Sequence, residues 1–164
     1  MATKQTTLKQ LFIEELSDLY SSESQLIKAL PKMVKAAESA ELKQAFQNHL
    51  GETETQLERV KQVFELTGEK AKAELCKGMQ GIVAEGDEQI KKNTGDLGLI
   101  GAGERVEHYE IASYRSAIAM AQQLGLSKAE KLLSDSLQEE ENAAKLLSQL
   151  SKPMLRELSK GEAA

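Results

Sequence analysis

Four glutamates fall where a solvated helix surface would not put them. With each residue advancing a helix by about 100°, Glu23 lies between Leu16/Leu19 and Leu26/Leu30, in the middle of an apolar stripe. Glu110 shares a stripe with Val106, Ala117 and Ala121, and Glu107 lies at its edge near Ile111 and Ile118. Glu140 falls between Leu133/Leu137 and Ala144/Leu147. His49 flanks a fourth stripe beside Phe46 and Thr53, with Glu52 one turn on and further from the centre. Burying ionised carboxylates in a bundle is costly unless they are paired or their pKa shifts until they are neutral. A pair of divalent cations would offset that cost. Carboxylates and an imidazole facing one another across a bundle are the donors of di-iron and di-manganese sites.

A plainer reading stands beside this one. Glu23 could pair with Lys28 or with a lysine on a neighbouring helix. The inward glutamates would then be salt-bridge partners, and the protein a non-catalytic interaction or stress-assembly module without metal. Other polar residues read as ordinary structure. His108 points away from the core, and Glu139 and Glu141 read as solvated helix face. Tyr20, Tyr109 and Tyr114 could hydrogen-bond ligands or join redox chemistry, but read first as core or rim packing, and Cys76 reads as a small buried apolar residue.

The elements that must position these groups are helices. Thr6 or Thr7 can cap a first helix over about 7–39, which Pro31 should kink. A second spans about 41–66, closed by Thr67-Gly68 with glycine as a left-handed cap. A weaker crossover helix covers about 70–92, where Gly78, Gly81 and Gly86 would permit close packing. Asn93-Thr94-Gly95-Asp96 breaks the chain, and Asp96 can cap a helix over about 97–124, which Gly125 stops. Ser127 opens the last core helix, about 127–150, limited by Pro153, with a short or frayed tail beyond it. Short turns join the first pair and the second pair, and a long segment joins the pairs. That connectivity matches a ferritin-like bundle with one long crossover, in a single domain over 1–164.

Composition agrees. Ala, Glu, Lys, Leu and Arg make up about half of the 164 residues, a share typical of long helices. Glutamate (22) far outnumbers aspartate (4), as helix interiors prefer. Two prolines and 4% aromatic residues argue against a β-sandwich. A net charge of −5 with scattered basic residues argues against nucleic-acid binding. One cysteine cannot form an intramolecular disulfide, the N-terminus has no apolar signal core, and no run of apolar residues is long enough to span a bilayer. The expectation is a cytoplasmic protein with no membrane or nucleic-acid partner.

The stretches LSDLYSSESQLIKALPKM, HLGETETQLERV, RVEHYEIASYRSA and LSDSLQEEE resemble the YciE/YciF family of bacterial ferritin-like stress proteins. The likeness covers about residues 8–150. Its most specific parts are Val106 to Tyr114 and the spacing of Leu16, Asp18, Leu19, Tyr20, Glu23, Gln25 and Leu26. The resemblance implies an all-α, ferritin-like four-helix bundle with an extra crossover helix, a homodimer, a link to stress responses and ferroxidase activity. It also implies a dinuclear iron or manganese site with Glu23, His49, Glu52, Glu107, Glu110 and Glu140 as ligands. One departure stands out. The general pattern wants Glu-x-x-His on two helices, whereas here the second helix reads His49-x-x-Glu52 and the fourth offers Glu140-x-x-Ala143. The implied site is therefore carboxylate-rich, with water completing it or with one metal held better than the other.

Overall fold

A computed structural model describes residues 6–162. The expectations about residues 1–5 and the last two residues of the tail lie outside this range. Among the described residues there are five helices: α1 Leu8–Ala36, α2 Ala40–Thr67, α3 Lys77–Lys92, α4 Gly95–Gln123 and α5 Ser127–Glu162. No strand occurs among the described residues.

Among the buried positions of α1, α2 and α4 one seam runs in steps of four and three. In α1 it is Phe12, Leu16, Leu19, Glu23, Leu26, Leu30 and Met33; in α2, Leu42, Phe46, His49, Thr53, Gln56, Val60 and Val63. In α4 it is Gly103, Glu107, Glu110, Tyr114, Ala117 and Ala121. A four–three step averages 3.5 residues, which keeps one seam of a helix facing its neighbours over its whole length. α1 packs on α2, α2 on α5, α5 on α4 and α4 on α1, so the four seams close on one another. α3 lies against α4 and α1. Ser116 donates to Glu15 at one end of the α1–α4 contact, and Asp96 meets Glu38 and Ser39 at the other, so these helices run antiparallel.

Two apolar cores fill the two ends of the bundle. One gathers Leu30, Met33, Leu42, Phe46, Leu99, Ile100 and Leu147, with Met79 from α3. The other gathers Phe12, Leu16, Leu19, Val63, Phe64, Ala117 and Leu133. Between them every seam turns polar at the same level: Glu23, then His49 with Thr53 and Gln56, then Glu107 with Glu110, then Ser136 with Glu140.

Several boundaries differ from the sequence reading. α1 ends at Ala36, and Ser39 begins the next helix as its N-cap, accepting from the Leu42 N–H at 3.3 Å. α1 contains Pro31, as expected, but α5 also runs through its proline, Pro153, reaching Glu162 instead of stopping near 150. Both prolines are exposed, so solvent can replace the missing N–H donor on that face. Asp96 caps a different helix from the one expected. It sits in the first turn of α4 but accepts from the backbone N–H of Glu38 at 2.7 Å and of Ser39 at 2.9 Å, tying the start of α4 to the start of α2.

The crossover helix starts at Lys77, and residues 70–76 are not helical. Geometry explains why. Residue 68 lies at one end of the bundle, whereas Cys76 is fixed near its middle by the Ser21 hydroxyl (accepting from the Cys76 N–H, 2.9 Å) and the Gln25 amide (donating to the Cys76 carbonyl, 3.1 Å). That climb equals about 15 residues of α2, roughly 23 Å; eight helical residues cover only about 12 Å, whereas eight extended ones cover about 26 Å. Of the three crossover glycines, Gly78 is the one that close packing requires, since a Cβ there would lie 2.7 Å from the Tyr109 ring. Gly81 faces open space. Gly68 closes α2 in the left-handed region at φ +79°.

The Asp96 bridge gives a test. Burial pushes its carboxyl up, but the hydrogen bonds from Glu38 and Ser39 outweigh this and hold its pKa below the ordinary value. Asp96→Ala should cost about 1 kcal/mol in urea unfolding at neutral pH. A lowered carboxyl pKa stabilises above the unfolded-state value and ceases to do so as pH falls through the folded one. The gap between variant and wild type should therefore close in acid.

Candidate metal centre

The polar layer is built from the middle of each long helix. Glu23, Glu107, Glu110 and Glu140 are all buried, as is His49. The His49 Nε2 atom lies 3.3 Å from Glu107 Oε2 and 3.8 Å from Glu140 Oε2. One donor atom from each of His49, Glu107, Glu110 and Glu140 lies within 4.8 Å of the others. Three helices thus bring four of the six expected residues to one point. The other two stand at its margins. Glu23, on α1, accepts a short hydrogen bond from the Tyr114 hydroxyl. Glu52 is 43% exposed and meets the imidazole from its far side, with Oε2 3.3 Å from Nδ1. Three residues past His49, it is turned off the seam that His49 occupies.

Unmet hydrogen-bonding capacity tests whether these residues fit a cation. Glu23 Oε2, His49 Nε2, Glu107 Oε2, Glu110 Oε2 and both oxygens of Glu140 are buried without a hydrogen-bond partner. Among the described residues no lysine or arginine lies within 4 Å of any of the four carboxylates, so Glu23 has no Lys28 partner, and the charge pairing within the layer runs through His49, to Glu107 and Glu140. The nearby cation Arg59 is engaged by Glu139, at 2.6 and 2.8 Å. Oxygen-rich, acidic and unpaired, the donor set suits a hard divalent cation.

Without metal the layer manages its charge by holding protons. Burial pushes the carboxyl of Glu107 up to about 8. Burial, then repulsion from neighbouring carboxylates, raises Glu23, Glu110 and Glu140 well above the ordinary range. Burial lowers the imidazole of His49, but the Glu52 hydrogen bond and the carboxylates Glu140 and Glu110 carry it above its ordinary value. Burial and Glu23 likewise raise Tyr114.

Sequence reading missed the residues around this set. Tyr114 packs in a core, as expected, and its hydroxyl also holds Glu23; it follows Glu110 by four residues on the same seam, the signal that singles it out from the other tyrosines. The Ser22 hydroxyl donates to Glu110 Oε1 at 3.0 Å. Gln56 is fully buried and its amide donates to Glu139 at 3.0 Å. Glu139 is thus an anchor for α2 as well as part of a charged face. His108, as expected, is exposed. Cys76 is buried, with its sulfur 3.0 Å from the Tyr109 hydroxyl.

Access comes between α2 and α5. A cleft of about 120 Å3 there is lined by Asn48, His49, Glu52, Glu107, Asn142 and neighbouring apolar groups. It has room for a few water molecules at about 30 Å3 each, and polar side chains to hold them.

Comparison with known proteins assigns the chain. A family model described as "Domain of unknown function (DUF892)" matches residues 7–159. Protein YciF of Escherichia coli (strain K12) is 45% identical over 139 residues, covering 82% of this chain and 84% of that protein. The chain belongs to the YciF family. The crystal structure of the E. coli stress protein YciF superposes with a TM-score of 0.87 at 40% identity over the superposed residues, covering 93% of this chain and 99% of that one. YcfI from Rhodopseudomonas palustris superposes at 0.83 with 34% identity, covering 90% and 97% of the two chains. A Xanthomonas campestris pv. campestris protein shares the fold at 22% identity, with a TM-score of 0.74 and coverage of 96% and 100%.

The raised carboxyls make stability depend on pH in a defined direction. Between the ordinary glutamate value and the folded value near 8, Glu107 binds more proton in the folded than in the unfolded chain. Stability from such a group is fully present below the unfolded pKa and is lost as pH rises through the folded one. Metal-free protein should therefore melt at progressively lower temperature from pH 5 to about pH 8. Glu107→Gln, which cannot ionise, should flatten that slope in calorimetry with chelator present.

Proposed function

We propose that this protein is a ferritin-like, cytoplasmic stress protein of one domain that holds a dinuclear iron or manganese centre on Glu23, His49, Glu52, Glu107, Glu110 and Glu140. The observation that carries this reading is the convergence of unpartnered buried oxygens and one imidazole nitrogen from four helices on a single level of the bundle. When bound, the metal would supply one-electron chemistry: two Fe(II) giving up two electrons to hydrogen peroxide and two protons to form two waters, or to dioxygen and two protons to form hydrogen peroxide.

The chain's own residues have separable tasks. With Nδ1–H donated to Glu52, His49 would leave the lone pair of Nε2, on the side of Glu107 and Glu140, free to bind metal. Glu107, Glu110 and Glu140 would hold the metal from within the cluster they form with His49, and Glu23 and Glu52 from its margins. Tyr114 and Ser22 each hold one oxygen of a carboxylate and leave the other free for metal. Metal uptake must displace protons from these carboxyls, so affinity rises with pH. The two apolar cores keep bulk water from the layer. The family likeness further supports a homodimer, which light scattering in solution reads directly.

Protein purified under iron- or manganese-replete conditions should carry up to about two metal ions per chain. Added Mn(II) or Fe(II) at about a hundred times Kd should stabilise it by roughly 3 kcal/mol. Glu23→Ala and Glu107→Ala should each remove a metal equivalent. Less than about a tenth of an equivalent, with no uptake of added Fe(II), would leave a structural bundle without a centre.

A further inference from the structure

A second cavity reaches the same layer from the opposite side of Glu107, and its chemistry differs from that of the α2–α5 cleft. It lies between α1, α3 and α4, with about 30 Å3 of space. Its wall is aliphatic and aromatic, drawn from Leu30 and Met33 of α1, Ile82 and Val83 of α3, Phe46 of α2 and Gly103 of α4. Two charged residues touch it. Asp87 is at the surface, with both carboxylate oxygens 3.0 Å from Lys32 across the α1–α3 contact. Glu107 is buried. Phe46 and Glu107 line both spaces, so they form the partition between them.

We propose that this apolar cavity is a gas-binding site that takes dioxygen to the Glu107 side of the layer. The reading of dioxygen as the oxidant rests on the function proposed above; the cavity's preference for small apolar molecules does not. A cavity of this size holds one small molecule, and between Asp87 at its mouth and Glu107 at its inner end the aliphatic wall gives water no hydrogen-bond partners. A hydrated cation would lose its solvation along that wall, and hydrogen peroxide would leave its O–H donors unpartnered until it reached Glu107. Dioxygen has neither cost. The α2–α5 cleft, with Asn48, Glu52 and Asn142, offers the oxygen donors that an entering cation needs. Glycine at 103 keeps the space compact without closing it. A Cβ there would stand 2.8 Å from Leu147 and 3.3 Å from the Phe46 ring, driving the partition apart.

The test uses the full chain, first without metal. Crystals pressurised with xenon should show one atom bounded by Leu30, Val83 and Gly103. Methyl NMR under dioxygen pressure should show stronger paramagnetic relaxation at Leu30, Ile82 and Val83 than at Leu16, Val63 and Leu133 of the other core. Val83→Phe, and independently Ala29→Leu, should fill the space and abolish both signals while melting within a few degrees of wild type. In iron-loaded protein either variant should lower kcat/KM for dioxygen by about tenfold, and leave peroxide-driven Fe(II) oxidation and metal stoichiometry unchanged. Absence of xenon and of selective relaxation from the folded wild type overturns the gas site. A variant that excludes xenon yet consumes dioxygen at the wild-type rate overturns the route. If the wild type binds no metal, the proposed function fails, but xenon and dioxygen occupancy still decide the cavity.

Discussion

Mutual repulsion within one buried layer of carboxylates is the constraint to which the rest of the bundle is fitted. Glu23, Glu107, Glu110 and Glu140 share a level with a single imidazole, and no lysine or arginine among the described residues pairs with them. Such a layer exists only if protons or metal ions neutralise it, because water is excluded and the effective dielectric is low. Its free energy therefore depends on its occupants. With protons it is a set of neutral acids; with the cations proposed for it, it would cross-link the helices that meet there.

The apolar cores make that layer possible. Each end of the bundle has its own apolar cluster, so packing holds the four helices together on both sides of the layer. The four–three spacing of α1, α2 and α4 keeps their polar residues facing the same interior level. Outside the layer, Arg59 and Glu139 join α2 to α5, and Ser22 and Tyr114 join α1 to α4. These contacts tie the helices together at the level where repulsion would push them apart.

The crossover does more than connect. α2 ends beside one core and α4 begins beside the other, so the chain must climb the whole bundle to keep neighbouring helices antiparallel. It does so in two modes: extended through residues 69–76, where Leu75 is exposed and there is no apolar face to fold a helix onto, and helical through α3, where Met79 enters a core. Local propensity favoured helix throughout. Distance decided otherwise, since an extended chain covers about twice the length per residue. α3 then roofs the apolar cavity, so the connection also sets which molecules can approach Glu107 from that side.

Periodicity was enough to identify Glu23, Glu110 and Glu140 as inward and His49 as close to a seam, because side-chain direction on a helix is a function of sequence position alone. The family likeness rested on the same residues. Helix ends written in local chemistry were also legible, as Thr7 with its Gln10 capping box and Gly68 with its positive φ attest. What periodicity could not supply was the height of one helix against another. Only the tertiary structure decided that His49 meets Glu107 and Glu140, that Glu52 stays behind the imidazole, and that Tyr114 reaches Glu23 across 91 residues of chain. It also decided that Asp96, in the first turn of α4, caps the start of α2. A sequence fixes which way a side chain points from its own axis. What it meets depends on the offset between axes, set jointly by the packing of both cores.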